Sequence, residues 1–122
     1  NWPVQGSLLQ RFGESRQGGI SSRGILIQST EGQAVKAVAG GQVIYADWLK
    51  GYGWVIVLDH GAGFMSLYGH NQNLLKKPGT RISAGETIAL AGSSGGQSVA
   101  GLYFEIRNKG EAVNPLQWLS RN

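Results

Sequence analysis

The sequence predicts an all-β protein built as a sheet with only short helical turns. Three observations carry that reading. Short apolar runs rich in β-branched and aromatic residues recur along the 122-residue chain, Gly-containing turns separate them, and twenty glycines stand against three prolines. In order, the runs are GILIQ (24–28), QVIYADWL (42–49), WVIVLDH (54–60), FMSLYGH (64–70), TIALAG (87–92) and LYFEIR (102–107). Two stretches have room for a helical turn: NQNLL (71–75), and NPLQWL (114–119), where Asn114 suits a cap and Pro115 the first helical position. No repeat, linker or low-complexity segment interrupts the chain, which reads as one domain over 1–122.

Side chains alternate between the two faces of a strand, so each run divides into two rows. In 101–107, Leu102, Phe104 and Ile106 form an apolar row for the core, which sends Gly101, Tyr103, Glu105 and Arg107 to the other face. Two further rows are assigned to that other face: Phe64, Ser66, Tyr68 and His70, and Ser22, Gly24, Leu26 and Gln28. The expected result is an open groove floored by Leu26, Tyr68, His70 and Tyr103. It is rich in aromatics and almost empty of groups that do chemistry.

Composition argues against several functions. The formal charge of +4 comes from Lys and Arg spread from Arg11 and Arg16 to Arg121, not gathered on a stripe, so nucleic acid is not an expected partner. No run of about 18 apolar residues is present, so no membrane insertion is expected. The chain opens on NWPVQG without a basic-then-apolar leader, which leaves a cytosolic protein or a domain of a longer secreted chain. Cysteine is absent, which removes disulfides and thiolate metal sites. The loop GSSGGQSVAG (92–101) holds no His, Cys or Asp. It is not a phosphate-binding loop, because no G-K-[ST] follows and the next element is a strand. It reads as the frame of a cleft or as a plain flexible connection.

Four segments, SSRGILIQSTEGQAVKAVAGGQV, GYGWVIVLDHGAGFMSLYGH, PGTRISAGETIALAGSSGG and GLYFEIRNKGEAVNPLQWL, occur in the order and spacing of one family. Together they resemble the lysostaphin-type (LytM) zinc metallopeptidase domain, an antiparallel β-sheet domain with an open groove that cuts peptide cross-bridges of peptidoglycan. The resemblance runs from Trp2 to Leu119. Active members carry H-x-x-x-D on the first core strand and H-x-H-F-E on the last, with zinc on the first His, the Asp and the second His of H-x-H. Here the corresponding positions are Ser22 and Leu26 on the first and Tyr103 on the last, and the catalytic His position is Gly101. His70 alone keeps its place, equivalent to the non-ligating catalytic His. A catalytic zinc needs about three protein ligands and an open position for water. The resemblance with these departures implies no catalytic residues, no metal, no cofactor and no enzyme activity. The remaining candidate donors, His60, His70, Asp47, Asp59 and Glu105, are scattered; His60 reads as a hairpin-turn histidine and Glu105 as structural.

Metal-less domains of this family resemble bacterial activators of cell-wall amidases, and the EnvC type matches LYFEIR, AVNPxxWL and GYG before a β-rich run. The resemblance implies a Gram-negative periplasmic protein tied to the division machinery through a coiled-coil region outside this chain. Its partner would be an N-acetylmuramoyl-L-alanine amidase, which it activates by displacing an inhibitory helix from the amidase zinc site, so that septal peptidoglycan is split and daughter cells separate. The expected mode is helix-in-groove recognition, with apolar contacts from Leu26, Val55, Tyr68 and Tyr103 and a rim of Tyr52, Arg23 and Arg107. Arg107 shares the Tyr103 face; Arg23 reaches it only if its strand bends. Two other classes stay open: a non-catalytic peptidoglycan-binding module and a weak hydrolase.

Overall fold

The computed structural model describes residues 1–15 and 22–119; Arg16 and Arg121 lie outside them. Strands β1 (Leu8–Gln10), β2 (Ile25–Gln28), β3 (Ala34–Lys36), β4 (Gly41–Leu49), β5 (Gly53–Gly61), β6 (Phe64–Leu74), β7 (Arg81–Ile82), β8 (Thr87–Ala91), β9 (Gly101–Asn108) and β10 (Glu111–Val113) precede a single 3-10 turn, η1 (Pro115–Gln117). All pairings are antiparallel, in the order β1-β2-β9-β6-β5-β4-β7, with β10 added to β9 and β3 paired to β8. The all-β expectation is borne out, and each of the six runs lies on a strand.

The two helical expectations had opposite outcomes. At NPLQWL, Asn114 Oδ1 accepts from the Leu116 N–H and Pro115 opens η1. NQNLL is not helical: β6 continues to Leu74 and pairs Asn71, Asn73 and Leu74 with Ala91, Leu90 and Ala89 of β8. The backbone groups of this short polar stretch are satisfied by a distant strand, which a local turn would leave unpaired.

Leu102, Phe104 and Ile106 lie in the core as expected, packed with Ile25, Ile27, Ile56, Leu58 and Ile88. Each such side chain contributes about 1.5–3 kcal/mol when fully buried. The row assigned from 64–70 is corrected by register. Tyr68 pairs with Phe104 and Ser66 with Ile106, so Phe64, Ser66 and Tyr68 stand on the core face and not in the groove. Tyr68 is fully buried. Its hydroxyl accepts from the Val38 N–H at 3.1 Å and lies 2.8 Å from Ser66 Oγ, which is 2.7 Å from His60 Nε2. Burial pushes the Tyr68 phenol up to about 12. His60, expected in a turn, is instead part of β5, with Nδ1 held 2.7 Å from the Gly40 carbonyl.

Candidate functional site

The face of β9 opposite the core carries Tyr103, Glu105 and Arg107, and neighbouring strands leave room for them. Leu26 of β2 and Gly69 of β6 flank Tyr103 in register. Gly24 is required beside them: a Cβ there would overlap the Phe104 carbonyl oxygen and come within 2.9 Å of Glu105 Cγ and 3.0 Å of the Tyr103 ring. Over that gap the Tyr103 hydroxyl donates to Glu105 Oε2 at 2.5 Å, and Arg107 Nε–H donates to Oε1 at 2.7 Å. Glu105 is 2% exposed, so its charge is matched from both sides where water is excluded. Burial, then the contact with Glu105, raises the Tyr103 phenol well above its ordinary value. The same carboxylate raises the Arg107 guanidinium.

Tyr52 and His70 close the cleft beside Tyr103. The Tyr52 ring lies 4.9 Å from Tyr103 and 6.2 Å from His70 between centroids. Strict alternation would return His70 to the core face with Tyr68. Its φ of 62° reverses the backbone locally and turns it toward the cleft, with its N–H donating to the Tyr52 carbonyl at 2.6 Å and Nδ1 2.8 Å from the Ser94 carbonyl. A left-handed non-glycine residue held by such contacts is a pattern concentrated at functional sites.

The Gly-Ser loop builds this arrangement and is not a loose connection. Ser94 Oγ donates to the Asn71 carbonyl at 2.5 Å and accepts from the Trp54 N–H at 3.1 Å. Ser93 donates to Glu31, which also accepts from Gln72. Gly95 has φ 81°, and a Cβ on it would lie 2.5 Å from the Gly53 nitrogen, so the loop backbone rests directly on the Tyr52–Gly53 turn. Sequence reasoning missed Ser94 and Glu31 as the ties that hold the cleft wall. The dense glycines of GYG and GSSGG were the available signal of a close backbone approach.

The structure brings Leu26, Tyr52, His70, Gly101, Tyr103 and Arg107 together, but His70, Gly101 and Tyr103 are buried, so the expected open groove keeps surface only at Leu26, Tyr52 and Arg107. Three expected contact residues are not available to a partner. Tyr68 points into the core, Val55 has no exposed surface, and Tyr103 is 4% exposed, its ring packed against Tyr52. Arg23 precedes β2, so strand alternation does not govern it. Ser22 Oγ donates to the Gly24 carbonyl at 2.8 Å, and this turn leaves Arg23 exposed, lining with Arg107 and Ser22 an open pocket of about 490 Å³.

The positions that the resemblance assigns to zinc do not fit it. Ser22 is 2% exposed and spends its hydroxyl on the backbone, Leu26 has no lone pair, and the Tyr103 phenol is a protonated donor to Glu105. Among the described residues no three His, Cys, Asp or Glu side chains gather as a metal-holding group.

Comparison with known proteins gives a consistent likeness. The model of peptidase family M23 matches residues 21–115. Murein hydrolase activator EnvC of Escherichia coli is 56% identical over 120 residues, 98% of this chain and 29% of that protein. Murein hydrolase activator NlpD of Escherichia coli is 42% identical over 119 residues, 97% of this chain and 30% of that protein. The catalytic domain of the antimicrobial peptidase lysostaphin from Staphylococcus simulans superposes with a TM-score of 0.79 at 26% identity, covering 93% of this chain and 89% of that one. The chain therefore spans less than a third of the length of the two activators it matches.

Proposed function

The chain belongs to peptidase family M23, and on that premise we propose that it is a non-catalytic activator of a cell-wall hydrolase, specifically a periplasmic N-acetylmuramoyl-L-alanine amidase. The observation that carries the proposal is the fate of the three zinc positions. On a sheet shared with a peptidase catalytic domain, they are filled by a backbone-bonded serine, a leucine and a phenol committed to Glu105. Nothing at those positions can lower the pKa of a bound water, the step on which zinc hydrolysis depends. What remains is a firmly held face on which Leu26 and Tyr52 keep part of their surface, suited to binding a segment of another protein. Two relatives that carry the name murein hydrolase activator support the same reading.

In this proposal the amidase lays a segment over Leu26 and the exposed edge of Tyr52, which packs on the buried Tyr103, with Arg23 and Arg107 at the rim. That contact draws an inhibitory helix away from the amidase zinc site, and septal peptidoglycan is then split. The chain acts as one domain, the C-terminal part of a longer Gram-negative envelope protein whose coiled coil reaches the division machinery. Within the described residues no helix is long and apolar enough to cross a membrane.

The test is a pair of variants measured for amidase activation, with folding checked by circular dichroism and melting. Leu26→Glu places a charge on the half-buried cleft floor, and Tyr52→Ala removes an aromatic wall. An anchor of this kind contributes about 2 kcal/mol of binding or more, so each variant loses at least about tenfold in activation. Folded variants that activate like the parent chain refute the cleft as the docking site.

A further inference from the structure

The arginine end of the cleft is built differently from its apolar end. Arg107 is fixed by one edge: its Nε–H binds Glu105, while its terminal nitrogens have no acceptor among the described residues. Arg23 is exposed, sits on a backbone turn fixed by Ser22, and has no carboxylate within ion-pair distance among the described residues. Both guanidinium groups line the same open pocket of about 490 Å³, together with Phe12, Ser22 and one carboxylate, the exposed Glu111. Arg107 is already matched by the buried Glu105. Of the lining charges, that leaves the exposed Arg23 and Glu111 without an ion-pair partner among the described residues, and the Arg107 terminal nitrogens without an acceptor there. A guanidinium locked along its Nε edge presents its remaining nitrogens in a fixed plane, the geometry that takes a carboxylate.

We infer that this pocket receives a carboxylate side chain, Asp or Glu, from the amidase segment seated in the cleft, held between Arg23 and Arg107. The inference rests on the amidase-activator reading and specifies the chemistry its partner must supply.

The experiment is calorimetric titration of a purified N-acetylmuramoyl-L-alanine amidase with this chain and its variants, in low and high sodium chloride. Arg23→Gln is the main probe because Arg23 is exposed and has no ion-pair partner among the described residues, so its replacement disturbs no buried group. Arg23→Gln is expected to weaken binding about fivefold, and Arg23→Glu further, since a reversed charge repels where a neutral one only fails to attract. The salt dependence of binding is expected to be shallower in Arg23→Gln than in the parent chain. Arg107→Lys, which keeps the charge and loses the planar fork, is expected to weaken binding by a similar factor. Arg23→Glu binding like the parent, while Leu26→Glu abolishes binding, overturns the carboxylate inference and leaves the cleft reading standing. Leu26→Glu binding like the parent overturns the cleft reading itself. Titration with soluble murein peptides forms the second arm. An Arg23-dependent affinity for those peptides, with amidase binding indifferent to Arg23, assigns the pocket to wall carboxylates and also overturns the inference.

Discussion

Replacing Arg107 with Met tests how the vacated site is held together. The substitution keeps a long apolar stem and deletes the cation that Glu105 faces. Glu105 is 2% exposed by side chain and Arg107 33%. Removing one partner of a buried ion pair costs about 3–5 kcal/mol, and the partial exposure of Arg107 lets solvent screening reduce that to about 2 kcal/mol. For a chain of this size such a loss lowers the melting temperature by roughly 8 °C. The Tyr103 hydroxyl still donates to Glu105 in the variant, so the carboxylate keeps one partner of two. The assay is thermal unfolding at neutral pH of the parent, Arg107→Met, Glu105→Gln and the double variant. The double variant is expected to be more stable than the sum of the single losses by about 1 kcal/mol or more, because it leaves no unmatched charge. An Arg107→Met protein that melts within about 1 °C of the parent refutes the claim that this pair holds the cleft face.

Other consequences follow from the same structure. Gly24→Ala forces a methyl against the Phe104 carbonyl, the Glu105 stem and the Tyr103 ring, and is expected to destabilise by about 2 kcal/mol or more in urea unfolding. Gly95→Ala combines a positive φ with a contact on the Gly53 backbone; it should speed amide exchange at Trp54, whose N–H is bonded to Ser94. Tyr68 titrates at about 12 in the fold against about 10 when unfolded. Between those values the unfolded chain has lost the proton and the folded chain keeps it, so stability is full below about pH 10 and falls as pH rises toward 12. Tyr68→Phe is therefore expected to unfold more easily at neutral pH, because the Val38 N–H loses its acceptor, and to show a shallower loss of stability between about pH 10 and 12 in urea titrations.

The long alternating strands were legible because each holds several residues of a strict two-residue period. Leu102, Phe104 and Ile106 fixed their own face without outside help. Strands β1, β3, β7 and β10 span two or three residues, too few to show a period, and they exist because a longer neighbour offers a ladder. The row containing Ser66 and Tyr68 was placed on the wrong face for a related reason. A row that mixes serine and tyrosine with phenylalanine carries no polarity that names its side, and only the register against β9 decides it. His70 reached the cleft through a left-handed φ that no pattern of apolar residues encodes. Of the site, Leu26, Tyr103 and Arg107 were readable by alternation and by the likeness to the peptidase pattern. The pocket shared by Arg23 and Arg107 was not, since it depends on a turn that begins before the strand.

The central claim is that a peptidase fold has become an activator, and dye release from labelled sacculi tests it most directly. A purified periplasmic amidase, this chain, and the two together are incubated with sacculi, and this chain alone is also incubated with added zinc. The account predicts release only when amidase and chain are combined, with zinc giving the chain no activity of its own. Release by the chain alone, or no gain when it joins the amidase, contradicts it.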